Sequence, residues 1–200
     1  MTEMSVKSAR SAAHSGAARD RLNALIRERS LLAGEFTLAS GKASGFFFNM
    51  KRTMLDPEGA HLIADGFLDL MDDIECDHVG GLAMGAIPLV ATVAARSFER
   101  GRPLPAFFVR KESKDHGTMD LIEGLLEDKA RVVLLEDVTT TGGSSLKAAA
   151  ACRARGCTVS HVLTIVDREQ GASENFAREG IELRALYRRS DFADAAAVKG

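Results

Sequence analysis

Two adjacent carboxylates, Glu136 and Asp137, precede three threonines (Thr139 to Thr141), two glycines (Gly142 and Gly143) and two serines (Ser144 and Ser145). The apolar run just before them, Val132 to Leu135, predicts a strand buried on both faces, and the alanine-rich stretch after Ser145 predicts a helix. In an α/β sheet, the C-terminal end of a strand beside a helix N-terminus is where ligands bind. Backbone N–H groups at such a helix start attract phosphate, and hydroxyl side chains add donors. Two carboxylates beside that cradle would repel a naked nucleotide. They suit a ligand that presents neutral hydroxyls there, such as a ribose, or a bridging metal ion. A Walker A loop does not fit, because it needs Gly-x-x-x-x-Gly-Lys-Ser/Thr and Lys147 lies well beyond the glycines.

A second group of reactive side chains follows Val109. Arg110, Lys111, Lys114 and His116 gather four potential cations beside Glu112 and Asp115. A solvated charged loop is the plain reading of such a run. The polar segment from Lys111 to Gly124 is long for a connection in a compact domain, however, which favours a functional lid. Lysine brings a mobile point charge, and histidine a proton donor near neutral pH.

The elements that must position these groups alternate between strand and helix. Residues 1–19 are rich in Ser and Ala, with Lys7, Arg10 and Arg19 among them, and are expected to form a frayed tail. They lack the apolar core of a signal peptide, and Glu3 and Asp20 argue against a transit peptide. A helical pattern runs from Ala18 to Ala33, with Leu22, Leu25, Ile26 and Leu32 on one side. Asp56-Pro57 reads as an N-cap and first helical residue, and Ile63, Phe67, Leu70 and Met71 mark a buried face through about Asp73. Val79 to Ala83 reads as a strand, Gly85 and Pro88 open a helix through Arg100, and Ala106 to Val109 is a third apolar strand. After the carboxylate-bearing strand, its helix is expected to end near Gly156. Thr158 to Val166 reads as a strand, Ala172 to Gly180 as a helix and Ile181 to Tyr187 as a last strand. This rhythm predicts an α/β fold with a mainly parallel central sheet flanked by helices, in a single domain over residues 20–200.

Composition excludes several function classes. With 46% hydrophobic and 27% charged residues, the chain can bury a sizeable core. A net charge of −2 gives no electrostatic footprint for nucleic acid or an anionic membrane. The apolar runs are too short to span a bilayer. Three cysteines, Cys76, Cys152 and Cys157, form an odd set without metal-binding spacing, which points to a reducing cytoplasm. Cys152 and Cys157 are expected as small core or helix-end residues.

The segment from Arg131 to Gly143 resembles the phosphoribosyl-diphosphate (PRPP) signature of type I phosphoribosyltransferases. Five further segments narrow the resemblance to orotate phosphoribosyltransferases. Arg110-Lys111-Glu112-Ser113-Lys114-Asp115-His116-Gly117 is similar to their catalytic loop, and Leu121-Ile122-Glu123-Gly124 to the stretch after it. Phe36-Thr37-Leu38-Ala39-Ser40-Gly41-Lys42 continues to Phe46-Phe47-Phe48-Asn49; Leu55-Asp56-Pro57-Glu58-Gly59 and Asp167-Arg168 complete the match. The resemblance implies the type I phosphoribosyltransferase fold with a small N-terminal hood over about residues 20–55. It also implies transfer of the phosphoribosyl group from PRPP to orotate, giving orotidine 5′-monophosphate and diphosphate in de novo UMP synthesis.

The same resemblance assigns roles. Glu136 and Asp137 would hold the ribose hydroxyls, with Asp137, Lys114 and His116 as the catalytic set. Val138, Thr139, Thr140, Thr141, Gly142, Gly143 and Ser144 would wrap the 5′-phosphate. Arg110, Lys111, Lys114 and His116 would bind the diphosphate, whose growing negative charge needs neutralisation as it departs. Thr140, Arg168, Phe47, Phe48 and Lys42 would meet orotate, although core packing is an equally good reading of the Phe triplet. Mg2+ is the implied cofactor, carried on substrate oxygens and water without a dedicated set of protein ligands. A homodimer is implied, in which loop 110–120 completes the neighbouring site. Two departures stand out: Ala39 occupies a position where many members carry lysine, and Met84-Gly85-Ala86 replaces a Tyr-Lys pair found in some. The loop from Leu82 to Pro88 is therefore expected to bind through backbone groups. A purine or xanthine phosphoribosyltransferase would share the signature strand but not the Arg-Lys-x-x-Lys-Asp-His-Gly loop. A PRPP-sensing regulator of nucleic acid would need a basic face or an added helix-turn-helix module, and neither is evident.

Overall fold

The strand expected to be buried on both faces lies at the centre of the molecule. The computed structural model describes residues 16–37, 43–112 and 121–196. Its elements run α1 (Ala17–Leu25), a π-helical turn (Ile26–Ser30), β1 (Leu31–Thr37), β2 (Ala43–Phe48), α2 (Lys51–Met54), α3 (Pro57–Leu70), β3 (His78–Gly80), α4 (Ala86–Glu99) and β4 (Phe107–Val109). They continue with β5 (Ile122–Gly124), β6 (Arg131–Thr139), α5 (Gly143–Ala154), β7 (Thr158–Asp167), α6 (Ala172–Arg178), β8 (Glu182–Arg188) and a 3-10 segment (Arg189–Ala196).

The central sheet has the order β3-β6-β7-β8, with every pair parallel. Single parallel bridges from Val79 to Ala106 and from Leu82 to Val109 set β4 along the free side of β3. Alternation along β6 explains its unbroken apolar run: Val133 and Leu135 enter one core, Val132 and Leu134 the other. The first core receives Ile63 and Phe67 of α3 and Leu89, Val90 and Val93 of α4. The second receives Ala148, Ala149 and Cys152 of α5 and Phe176 of α6. Helices thus cover both faces, as parallel strands require.

Local signals carried most of these boundaries. Asp56 caps α3 by accepting from the Gly59 N–H at 2.8 Å, with Pro57 in the first turn. At the end of α5, Gly156 adopts φ +77°, and the Cys157 N–H reaches the Cys152 carbonyl at 3.2 Å. Both cysteines are buried thiols there, at a helix end and in the core.

Three stretches differ from the sequence reading. The N-terminal helix passes into a π-helical turn and ends at Ser30, and Leu31 to Ala33 form a strand paired antiparallel with Phe46 to Phe48. Leu31 and Leu32 find cross-strand neighbours in Phe48 and Phe47, residues far enough along the chain to leave no local signal. Residues 111–124 are not loop throughout, since Ile122–Gly124 pairs antiparallel with Phe107–Val109. The 3-10 segment was not expected either, and it delivers the fully buried Phe192 to the core. Of the expected tail, residues 17–19 already belong to α1, and residues 1–15 lie outside the described residues.

Candidate active site

Strand β3 ends at Gly80, opposite Leu134, and beyond it a cleft of about 200 Å3 opens beside the last residues of β6. Its walls are Lys51, Leu82 to Ala86, Lys111, Leu135 to Asp137 and Ser144. The close fit of the Leu82–Ala86 turn against β6 explains two glycines. A Cβ on Gly81 would stand 2.4 Å from the Leu135 carbonyl oxygen, and one on Gly85 would stand 3.1 Å from Asp137 Oδ1. Met84, 73% exposed, projects from this turn, so the turn offers the cleft little beyond its backbone. The Ala83–Met84 peptide is cis.

The two carboxylates occupy different surroundings. Glu136 is turned back toward the start of α5, where Ser145 Oγ donates to Oε2 and Thr139 Oγ1 lies 3.4 Å from the same oxygen. Burial pushes its carboxyl up to about 7; the Asp137 charge adds to the rise, while the Ser145, Thr139 and Ser144 hydroxyls oppose it. Asp137 is steadied by the Val138 N–H, which donates to Oδ1 at 2.9 Å. Both acids line the cleft, and Glu136 is in addition tied to the start of α5.

The chain then turns sharply into α5. Gly142 sits in the left-handed region at φ +82°, and a Cβ there would come within 2.5 Å of the Phe176 ring. Gly142, the N-cap of α5, brings no side chain to cap the helix, so the N–H groups of the first turn start beside the threonines without a cap of their own. Thr139 is buried, Thr140 half-buried and Thr141 exposed. An anion seated there would meet backbone donors and the positive end of the helix.

Other candidate residues fall in several places. Lys111 lines the cleft, whereas Arg110 pairs with Glu123 at 3.4 Å across the β4–β5 hairpin. A shallower hollow of about 440 Å3 adjoins the cleft and shares Ala83, Met84 and Lys111 with it. Arg168 reaches the same sheet edge: its N–H donates to the Thr139 carbonyl at 2.9 Å, and its side chain is buried. Burial, with a contribution from the Arg189 charge, pushes that guanidinium below its ordinary value. The paired phenylalanines part company. Phe48 is committed to the core, edge-on to Phe192 at 5.2 Å, while Phe47 is the exposed member. Lys42, Lys114 and His116 lie outside the described residues.

Sequence reasoning missed Lys51 and Ser145. Nothing local marks Lys51, a lone lysine after the Phe segment; Ser145 is legible only as one more hydroxyl at a helix start. No helix among the described residues is long and apolar enough to cross a membrane.

Residues 52–180 match the family model described as phosphoribosyl transferase domain. Among curated proteins, the orotate phosphoribosyltransferase of Bradyrhizobium sp. (strain BTAi1 / ATCC BAA-1182) is 51% identical over 180 residues, covering 88% of this chain and 97% of that one. The orotate phosphoribosyltransferase of Mycobacterium tuberculosis H37Rv, solved with Fe(III) dicitrate, superposes with a TM-score of 0.79 at 36% identity, over 88% of this chain and 99% of that chain. The same enzyme solved with PRPP gives a TM-score of 0.74 at 34% identity, over 87% and 98%.

Proposed function

The chain belongs to the orotate phosphoribosyltransferase family of phosphoribosyl transferase domains, and from that premise we infer how its cleft works. The protein transfers the 5-phosphoribosyl group of PRPP to orotate, forming orotidine 5′-monophosphate and diphosphate in pyrimidine biosynthesis. One observation carries the assignment of the site: the Glu136–Asp137 pair opens directly onto the uncapped first turn of α5. A ribose 5-phosphate fits that order, with its hydroxyls on the carboxylates and its phosphate on the turn.

In this reading Asp137, facing the cleft, and Glu136, held by Ser145, accept hydrogen bonds from the ribose hydroxyls. The N–H groups and hydroxyls of residues 139–144 receive the 5′-phosphate. Arg168, at the adjoining strand end, meets the orotate carboxylate or ring oxygens. Phe47 flanks the pyrimidine, and Lys42 serves the orotate end.

Breaking the bond between the ribose C1 and the diphosphate leaves positive charge on C1 and the ring oxygen. Orotate N1 is a weak nucleophile, so the site must improve the leaving group and hold the acceptor in line. Lys111, from the cleft wall, with Arg110, Lys114 and His116, stabilises the charge gathering on the diphosphate. Closure of the segment between β4 and β5 excludes the water that would hydrolyse PRPP. The donor set fits Mg2+ held by substrate oxygens and water, since two neighbouring carboxylates line the cleft where the ribose hydroxyls would sit. Such an ion supplies positive charge to the diphosphate oxygens. The hairpin that carries loop 110–120 is further proposed to complete the site of a second subunit in a homodimer. Three free thiols accord with a cytoplasmic setting.

The test is to incubate purified protein with PRPP, Mg2+ and orotate, following the loss of orotate's ultraviolet absorbance, with adenine, hypoxanthine and uracil in parallel. Consumption of orotate alone supports the reading. Consumption of a purine instead, or of no base, contradicts it.

A further inference from the structure

Helix α6 stands behind the turn between β6 and α5, outside the cleft and outside every role assigned above. Asn175 Nδ2 donates to the Thr141 carbonyl at 2.9 Å. Arg178 Nη1 donates to Asn175 Oδ1 at 3.1 Å, which sets the amide so that its NH2 end faces the turn. One residue on, Phe176 is fully buried, and its ring fills the space that a side chain on Gly142 would occupy. The helix is itself pinned to α5, because Arg153 donates to the Glu179 carboxylate at 2.9 Å and to the Glu179 carbonyl at 2.7 Å. Two adjacent side chains of α6 thus hold two adjacent residues of the turn, one by a hydrogen bond and one by contact.

We propose that Asn175 is a positioning residue for the phosphoribosyl ligand: it holds the Thr141 peptide so that the neighbouring N–H groups stay directed at the 5′-phosphate. The proposal rests on the reading of residues 139–144 as the phosphate turn. A turn with two glycines has many backbone conformations open to it, and only a narrow set converges several N–H groups on one anion. Anchoring the Thr141 carbonyl from outside removes one way for the turn to relax. The ordering is then complete before PRPP arrives and does not weaken its binding. Diphosphate and orotate, which meet other residues, gain nothing from it.

That asymmetry makes the role separable from general stability. In Asn175→Ala, affinity for ribose 5-phosphate and KM for PRPP are expected to weaken by about three- to tenfold, the effect of one lost hydrogen bond. Affinity for inorganic diphosphate, KM for orotate and kcat stay within about twofold. Asn175→Asp keeps the shape but sets an acceptor against the Thr141 carbonyl, so it weakens ribose 5-phosphate at least as much as Asn175→Ala. Equal weakening of ribose 5-phosphate and diphosphate overturns the proposal, because a loosened fold would do the same. So does an Asn175→Asp variant that binds ribose 5-phosphate like the wild type. Wild-type protein that consumes no orotate in the presence of PRPP and Mg2+ overturns the underlying functional reading as well, which sets that failure apart from a failure of Asn175 alone.

Discussion

Replacing Glu136 by Gln should make the ligand-free protein more stable in alkali and hardly change it in acid. The carboxyl is pushed up to about 7 from an ordinary value of 4.5, chiefly by burial. A raised carboxyl favours the folded state below 4.5, and that contribution is lost as pH climbs through the interval up to about 7. At about 1.4 kcal/mol per pH unit, this interval corresponds to about 3 kcal/mol. Glu136 is half-buried, so solvent screening reduces the observable difference to about 2 kcal/mol. Gln keeps the size and can still accept from Ser145, but it carries no charge to desolvate. For a chain of this length, each kcal/mol moves Tm by about 2 to 4 °C. Thermal unfolding followed by circular dichroism at pH 5 and pH 8.5, without ligands, should therefore show Glu136→Gln gaining about 4 to 8 °C on the wild type at pH 8.5 and far less at pH 5. The variant should also use PRPP less well, because a neutral amide is a weaker acceptor for the ribose hydroxyls. An equal Tm difference at both pH values, or a larger gain in acid, would refute the account of Glu136 as an acid embedded at a cost for binding.

Three further outcomes follow from the site. Gly142→Ala forces a Cβ toward the Phe176 ring and a side chain into the left-handed region, so it should cost about 1 to 3 kcal/mol in urea unfolding and raise KM for PRPP; wild-type stability and KM would contradict the packing argument. Arg168→Ala should raise KM for orotate by at least about tenfold, since hydrogen bonds to charged groups carry about 1.5 to 3 kcal/mol, and leave KM for PRPP little changed in two-substrate kinetics. Lys114→Ala should lower kcat more than orotate affinity, as measured by turnover and calorimetry; unchanged turnover would remove the loop from the mechanism.

The parts of the fold legible in the sequence were those that announce themselves locally. Val132 to Leu135, a short apolar run cut off by the acidic pair and the glycines, fitted a strand buried on both faces, and each face is indeed packed. Asp56-Pro57 marked a helix start because a cap is a matter of three or four neighbouring residues. Leu31 to Ala33 could not be read in the same way. Their strand exists because Phe46 to Phe48 lie opposite, and apolar neighbours alone do not say whether a period of 2 or of 3.6 applies. The 3-10 segment was illegible for a related reason: a single Phe192 carries no periodicity, and one of its two ring partners, Phe48, comes from the distant strand β2. Within the site, the acids and Ser144 were legible because one strand end and one helix start carry them, whereas the Leu82–Ala86 turn that forms the facing wall has no such local signal. Lys51 and Asn175 were beyond reach, because each joins the site only through the packing of another element.

The central claim is that Asp137 and the turn after it form the PRPP site of an orotate phosphoribosyltransferase. Its most direct test is steady-state turnover of PRPP and orotate with Mg2+, wild type beside Asp137→Asn. The account predicts Mg2+-dependent loss of orotate with the wild type, and a fall of about ten- to a hundredfold in kcat/KM for PRPP with the variant, from losing charged hydrogen bonds to the ribose. An Asp137→Asn enzyme with intact PRPP affinity and rate would contradict it.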